Sequence, residues 1–110
     1  MKRHLKFKTI SLPKLDGLSP SLESTALKVA EEQGELARAI GKFRGISGEK
    51  VSMTQKEVLD EIAKELLDVA QTTISMCFVL EEEYGVDIDQ KVEEHIQKLI
   101  DKGYIKSRDK

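Results

Sequence analysis

Residues 54–85 read TQKEVLDEIAKELLDVAQTTISMCFVLEEEYG, and their periodicity decides the fold. Thr54 followed by Glu57 has the form of a capping box, in which hydroxyl and carboxylate each accept the other residue's backbone N–H. From there Val58, Leu59, Ile62, Leu66, Val69, Thr73, Met76 and Leu80 recur at three and four residues until Tyr84-Gly85 stops the run. The spacing predicts one long helix over 54–84. Upstream, Ser19-Pro20 sets a capping hydroxyl before a proline at the first helical position, and Leu22, Ala26, Val29, Ala30, Leu36, Ala37 and Ile40 follow at helical intervals. This predicts a helix over 20–43. Gly41, Gly45, Ser47 and Gly48 then supply a connection of about ten residues, longer than the usual helix-to-helix turn.

Downstream, Asp87 or Asp89 can cap a third helix over 88–102 that carries Val92, Ile96, Leu99 and Ile100 and ends at Gly103. Residues 1–18 show no helical stripe and read as an extended arm. Residues 104–110 read as a loose basic tail. The expectation is a single all-α domain over 1–110, a bundle of three main helices with an N-terminal arm. Composition agrees: of 110 residues 39% are hydrophobic, Trp is absent, and only two Tyr and three Phe occur, so the core must come from aliphatic residues.

Eighteen Lys and Arg against 20 Asp and Glu give a net charge of -2, which argues against a nucleic-acid partner. No stretch approaches the roughly 20 apolar residues of a membrane span, and the basic start MKRHLKFKTI has no apolar signal core behind it. A soluble cytoplasmic protein without a membrane partner is expected. The single cysteine, Cys77, lies in the apolar run 74–80, where a buried thiol is the ordinary finding.

On a helical wheel, Leu22, Ala26, Val29, Gln33, Leu36 and Ile40 share one arc of the first helix, with Lys28, Glu32 and Glu35 on its flank. The second helix has its apolar arc at Leu59, Ile62, Leu66, Val69, Thr73, Met76 and Leu80, with Glu61, Glu65, Asp68 and Thr72 as a polar row at the edge. Antiparallel packing along the apolar arcs would let Glu32 and Glu35 converge on Glu65 and Asp68. Like charges so gathered repel unless a cation sits between them. An all-oxygen shell of carboxylates suits Mg²⁺, with Mn²⁺ as a substitute. The di-iron pattern of Glu and His three apart is absent. The competing reading is a solvated acidic face paired to lysines.

The segment Lys28-Val29-Ala30-Glu31-Glu32-Gln33-Gly34-Glu35-Leu36-Ala37, followed by Glu61-Ile62-Ala63-Lys64-Glu65-Leu66-Leu67-Asp68-Val69, resembles the MazG-like branch of the all-α nucleoside triphosphate pyrophosphohydrolases, whose hallmark is E-E-x-x-E and then E-x-x-D. The likeness continues through Tyr84-Gly85-Val86-Asp87-Ile88-Asp89 and Lys98, and spans roughly residues 20–103. It implies Mg²⁺-dependent cleavage of a nucleoside triphosphate to a nucleoside monophosphate and pyrophosphate. It also implies Glu32, Glu35, Glu65 and Asp68 as metal ligands, with Lys28 and Lys98 on phosphate oxygens. The asparagine that follows the last-helix lysine in many relatives is missing here, which leaves Lys102 or Arg108 to take its place.

Glu61, one turn before Glu65, or Glu31 could orient the attacking water or bind a second ion; Glu31 falls on the outer face, which favours Glu61. Lys42, Arg44 and Lys50, at the connection between the acidic helices, are placed to close over a triphosphate. His95 and the arm cations Lys2, Arg3, His4, Lys6 and Lys8 read as solvated. Met53 and Met76 read as packing residues. The alternatives to an enzyme are a non-catalytic helical interaction module and a nucleotide-sensing module. The second helix is apolar on more than one side at Ile74, Cys77, Phe78 and Leu80, which predicts a homodimer or homotetramer. The competing arrangement has the arm, through Leu5, Phe7, Ile10 and Leu12, folding back over that stripe.

Overall fold

The computed structural model describes residues 5–45 and 54–106. They form α1 (Leu22–Arg44), α2 (Gln55–Tyr84) and α3 (Ile88–Asp101), with no strand among the described residues. The all-α expectation holds. Lys2, Arg3, His4, Ser47, Gly48, Lys50, Met53 and Arg108 lie outside the described residues.

Each helix starts where a side chain satisfies an orphan N–H. In α2 the predicted capping box is present: Glu57 N–H donates to Thr54 Oγ1 at 3.2 Å and Thr54 N–H donates to Glu57 Oε1 at 2.9 Å. α3 opens on Asp87, whose Oδ1 accepts from Gln90 N–H at 3.0 Å. The start of α1 differs from the sequence expectation. Ser21, not Ser19, is the cap, and Ser24 returns the bond, with N–H to Oγ distances of 3.0 and 2.8 Å. Two serines three apart satisfy two backbone donors, whereas Ser19 before Pro20 could satisfy at most one, so the helix begins two residues after Pro20. α1 and α2 both end on glycines in the left-handed region, Gly45 (φ 71°) and Gly85 (φ 67°), where a Cβ would be strained.

α1 packs antiparallel on α2 over most of its length, α3 makes a small contact with α2, and α1 and α3 do not pack on one another. The faces that meet differ from the predicted arcs. Thr25 and Ala39 of α1 and Val58, Thr72, Ser75 and Val79 of α2 are buried, with Glu32, Glu61 and Glu65 half-buried among them. Ala26, Gln33 and Ile40 of the predicted α1 arc are exposed, as are Leu59, Leu66 and Thr73 of the α2 arc. On α2 Glu61, Glu65 and Thr72 of the polar row turn into the seam, and on α1 Glu32 does, while Leu22, Val29 and Leu36 of the predicted α1 arc and Ile62, Val69, Met76 and Leu80 of the α2 arc are half-buried. The fully buried hydrophobic core of the described residues reduces to Ala39, Val58 and Val79.

The arm folds back onto α2 at Pro13 and Lys14. Gln71 Nε2 donates to the Pro13 carbonyl oxygen at 2.8 Å, and Lys14 Nζ donates to both carboxylate oxygens of Glu82 at 2.7 Å while lying 6.0 Å from the Phe78 ring centre. Phe7 and Ile10 nevertheless remain exposed. Cys77 is half-buried instead of buried; its thiol is pushed up by loss of solvent and then by the Glu81 carboxylate, which disfavours the thiolate.

Thr54→Ala should cost about 1 kcal/mol of stability, the ordinary value of an N-cap, read by chemical denaturation. The hydrogen bonds from Thr54 hold the Glu57 carboxyl below its usual value. Its contribution is therefore present above the ordinary glutamate pKa and lost as pH falls through the lowered one. Glu57→Ala should destabilise the protein at pH 7 and much less at pH 3.

Candidate metal centre

The antiparallel seam puts residues of α1 opposite residues of α2 in reverse order, so that Glu32, midway along α1, faces the Glu65–Asp68 turn of α2. One carboxylate oxygen from each of Glu32, Glu65 and Asp68 lies within 4.8 Å of the others. Glu65 and Asp68 are three apart on one helix and so share a face. Glu32 reaches them across the seam. Its side chain is only 12% exposed, although it is charged.

The electrostatics show what this convergence costs. Partial burial raises the Glu65 pKa, and the neighbouring charges of Asp68, Glu35, Glu32 and Glu61 push it the same way. Two lysines of α1 offset part of the charge. Lys28 Nζ stands 3.1 Å from Glu32 Oε1, and its pKa is raised by that hydrogen bond and by the charges of Glu31, Glu32 and Asp68. Lys42 Nζ stands 3.5 Å from Glu61 Oε1, with both side chains about three-quarters buried. Each lysine thus sits beside an acid at one end of the acidic row.

The predicted residues separate as follows. Glu32, Glu65 and Asp68 come together; Glu35 is exposed and outside the trio, though near enough for its charge to act on Glu65. Glu31 faces outward. Lys28 is at the cluster, and Glu61 is on the same row but engaged by Lys42. Lys98 and Lys102, at the end of α3, are exposed, and nothing in the chain's own packing brings α3 to α1. Arg44 lies over the Phe43 ring, 4.8 Å from its centre. His95 is exposed.

Sequence reasoning missed the Lys42–Glu61 pair and the continuation of the polar row into Ser75. The second had a signal: 61, 65, 68, 72, 75 and 79 alternate steps of three and four, which is the seam of a packed helix. Sequence reasoning chose the more apolar row beside it.

A model of the MazG nucleotide pyrophosphohydrolase domain matches residues 20–103. The chain belongs to this family. No curated protein and no solved structure matches it. The MazG match covers both acidic helices and α3 and begins at Pro20, leaving the arm outside it. Its activity class is nucleotide pyrophosphohydrolysis, and the donor set fits the divalent cations that the family generally uses: oxygen ligands only, converging from two helices, with mutual repulsion a cation would relieve. Among the described residues no helix is long and apolar enough to cross a membrane.

The raised Glu65 pKa means that the folded, metal-free protein holds this proton more tightly than the unfolded chain. Stability should therefore rise as pH falls from neutrality through the raised value, the gain being complete below the ordinary glutamate pKa. Glu65→Gln should raise the Tm of metal-free protein at pH 7 by a few degrees and flatten that pH dependence. An unchanged Tm and pH profile would show that the acids do not repel.

Proposed function

We propose that this protein is a Mg²⁺-dependent nucleoside triphosphate pyrophosphohydrolase that cleaves a ribo- or deoxyribonucleotide to the monophosphate and pyrophosphate, with Mn²⁺ as a substitute ion. The observation that carries the reading is the approach of Glu32, Glu65 and Asp68 to within 4.8 Å of one another in the helix seam. These three, joined by Glu35 on a side-chain rotation, would hold the ion. A bound divalent cation supplies charge neutralisation at the phosphates undergoing cleavage.

The chain's own residues do the rest. Lys28, beside Glu32 at 3.1 Å, is a cation at the edge of the cluster and would pass to a phosphate oxygen once the ion takes over the carboxylate. Glu61, one turn from Glu65, would accept a hydrogen bond from the attacking water and orient it. Glu31, facing outward, is the weaker choice for that role. Lys98 and Lys102 reach phosphate only if a second copy brings its α3 over the site.

Assembly into a homodimer or homotetramer is part of this reading. Leu27 (72% exposed), Leu66 (52%), Leu67, Leu59 and Ile40 stand open on the helix faces that the polar seam displaced outward. Burying one such leucine is worth about 1.5–3 kcal/mol, and a second copy offers the same surface. A protein without membrane or nucleic-acid partners, working in the cytoplasm on free nucleotides, fits this chemistry.

A panel of nucleoside triphosphates with Mg²⁺, scored for pyrophosphate against orthophosphate, tests the activity. Glu32→Gln and Asp68→Asn should each lower kcat/KM at least about a hundredfold, as loss of a transition-state charge contact does, with circular dichroism unchanged. Nucleotide binding without turnover would select a sensing module, and no binding an interaction module. Light scattering should give a dimer or tetramer for the wild type and a monomer for Leu66→Glu; a monomeric, fully active wild type would refute the assembly.

A further inference from the structure

Glu61 and Glu65 are the same residue type on the same row of α2, one turn apart, with about 6 Å between their backbones along the helix axis. What stands opposite them differs. Among the described residues no ion pair engages Glu65, whereas Glu61 Oε1 has Lys42 Nζ at 3.5 Å. Lys42 belongs to the last turn of α1, where its carbonyl accepts the N–H of the capping Gly45 at 3.2 Å. Its backbone is therefore fixed by the helix, and its charge stands at the negative end of the α1 dipole.

Burial separates this pair from the others. The Lys42 and Glu61 side chains are 24% and 28% exposed, while Lys14–Glu82, Lys56–Asp60 and Lys91–Glu94 leave about half or more of each side chain in water. One turn before Lys42 and one turn before Glu61 lie the buried Ala39 and Val58. Lys28, the other lysine at the acidic row, is 54% exposed beside Glu32 and can swing into solvent at little cost. Withdrawing Lys42 would instead leave Glu61 unpaired in a largely buried place, which costs more than parting an exposed pair. At 3.5 Å the pair is held by charge and not by a tight hydrogen bond, so the Glu61 carboxylate keeps lone pairs for a water.

We infer that Lys42 is a positioning residue that keeps Glu61 out of the ion's coordination shell and so available to the attacking water. The inference rests on the metal-dependent pyrophosphohydrolase reading and supplies the reason why two glutamates one turn apart do different work. Glu32 can exchange its half-exposed lysine for the ion, whereas Glu61 keeps its buried one. A carboxylate that already faces an ammonium gains less from a divalent cation than one that faces other carboxylates, as Glu65 does. This role differs from contact with the triphosphate, which the place of Lys42 beside the connection suggests.

A double-mutant cycle on Lys42→Met and Glu61→Gln tests the assignment, read by calorimetric Mn²⁺ binding to the nucleotide-free protein and then by steady-state pyrophosphate release. Lys42→Met should tighten Mn²⁺ binding about three- to tenfold, because Glu61 is freed to reach the ion, and should have little effect in the Glu61→Gln background. In the otherwise wild-type chain it should lower kcat about tenfold at unchanged KM, less than the about hundredfold loss of a general base. Lys42→Arg, which keeps the charge, should recover most of both. Lys42→Gln, which leaves Glu61 a neutral donor, takes the place of Lys42→Met in the cycle if that variant does not fold. Mn²⁺ binding tightened equally in both backgrounds would be a bulk charge effect and would overturn the assignment, as would unchanged Mn²⁺ binding in Lys42→Met. A raised KM at unchanged kcat would also overturn it and make Lys42 a phosphate contact. Wild type that binds Mn²⁺ without this coupling refutes the role of Lys42 alone, whereas wild type that binds no Mn²⁺ refutes the metal reading together with it.

Discussion

Helices α1 and α2 meet along a row that carries negative charge where a two-helix contact ordinarily carries leucine, and the rest of the molecule accommodates that fact. Three carboxylates within 4.8 Å disfavour ionisation together, so the seam is held by what surrounds them. Ala39 and Val58 seal it beyond one end of the acids, and Thr25, Thr72, Ser75 and Val79 beyond the other. Lys28 and Lys42 reduce the charge from outside. Leu36 and Phe43 of α1 and Ile62 and Val69 of α2 are half-buried, whereas Leu27, Leu59, Leu66 and Leu67 turn outward.

This rotation separates what was legible in the sequence from what was not. Helix number and order, the Thr54–Glu57 capping box and the Tyr84-Gly85 stop depend on neighbours within a turn, so local spacing reveals them. Glu32, Glu65 and Asp68 were legible as well, because residues three apart on one helix share a face whatever that helix packs against. Which face is turned inward is a tertiary choice. Leu59 and Leu66 look like core because isolated amphipathic helices bury leucine; here both stay exposed among the described residues. Glu35 was grouped with Glu32 by spacing, yet sits one turn along and to the solvent side of the seam.

The lysines extend the same point. Lys42 reads as a loop cation because it follows Gly41 in a glycine-rich stretch, but α1 runs on to Arg44 and carries Lys42 into the seam. A helix tolerates an interior glycine for about 1 kcal/mol, and α1 carries two, Gly34 and the buried Gly41. The pairing of Lys42 with Glu61 follows from helix continuity through Gly41 and from the antiparallel seam.

The arm obeys a different physics from the helices. Among the described residues its polar attachments to α2 include the hydrogen bond from Gln71 to Pro13 and the Lys14–Glu82 pair, in which both side chains are about half exposed. Exposed pairs of this kind contribute about 0–1 kcal/mol, and a neutral hydrogen bond adds a similar amount. These polar contacts hold the arm weakly, whereas α1 and α2 are capped helices packed on one another over most of α1. Displacing Leu15 and Leu18 breaks neither a helix nor the seam. Glu32, Glu65 and Asp68 sit on α1 and α2, so in this molecule the carboxylate geometry and the weakly attached arm lie on separate stretches of chain.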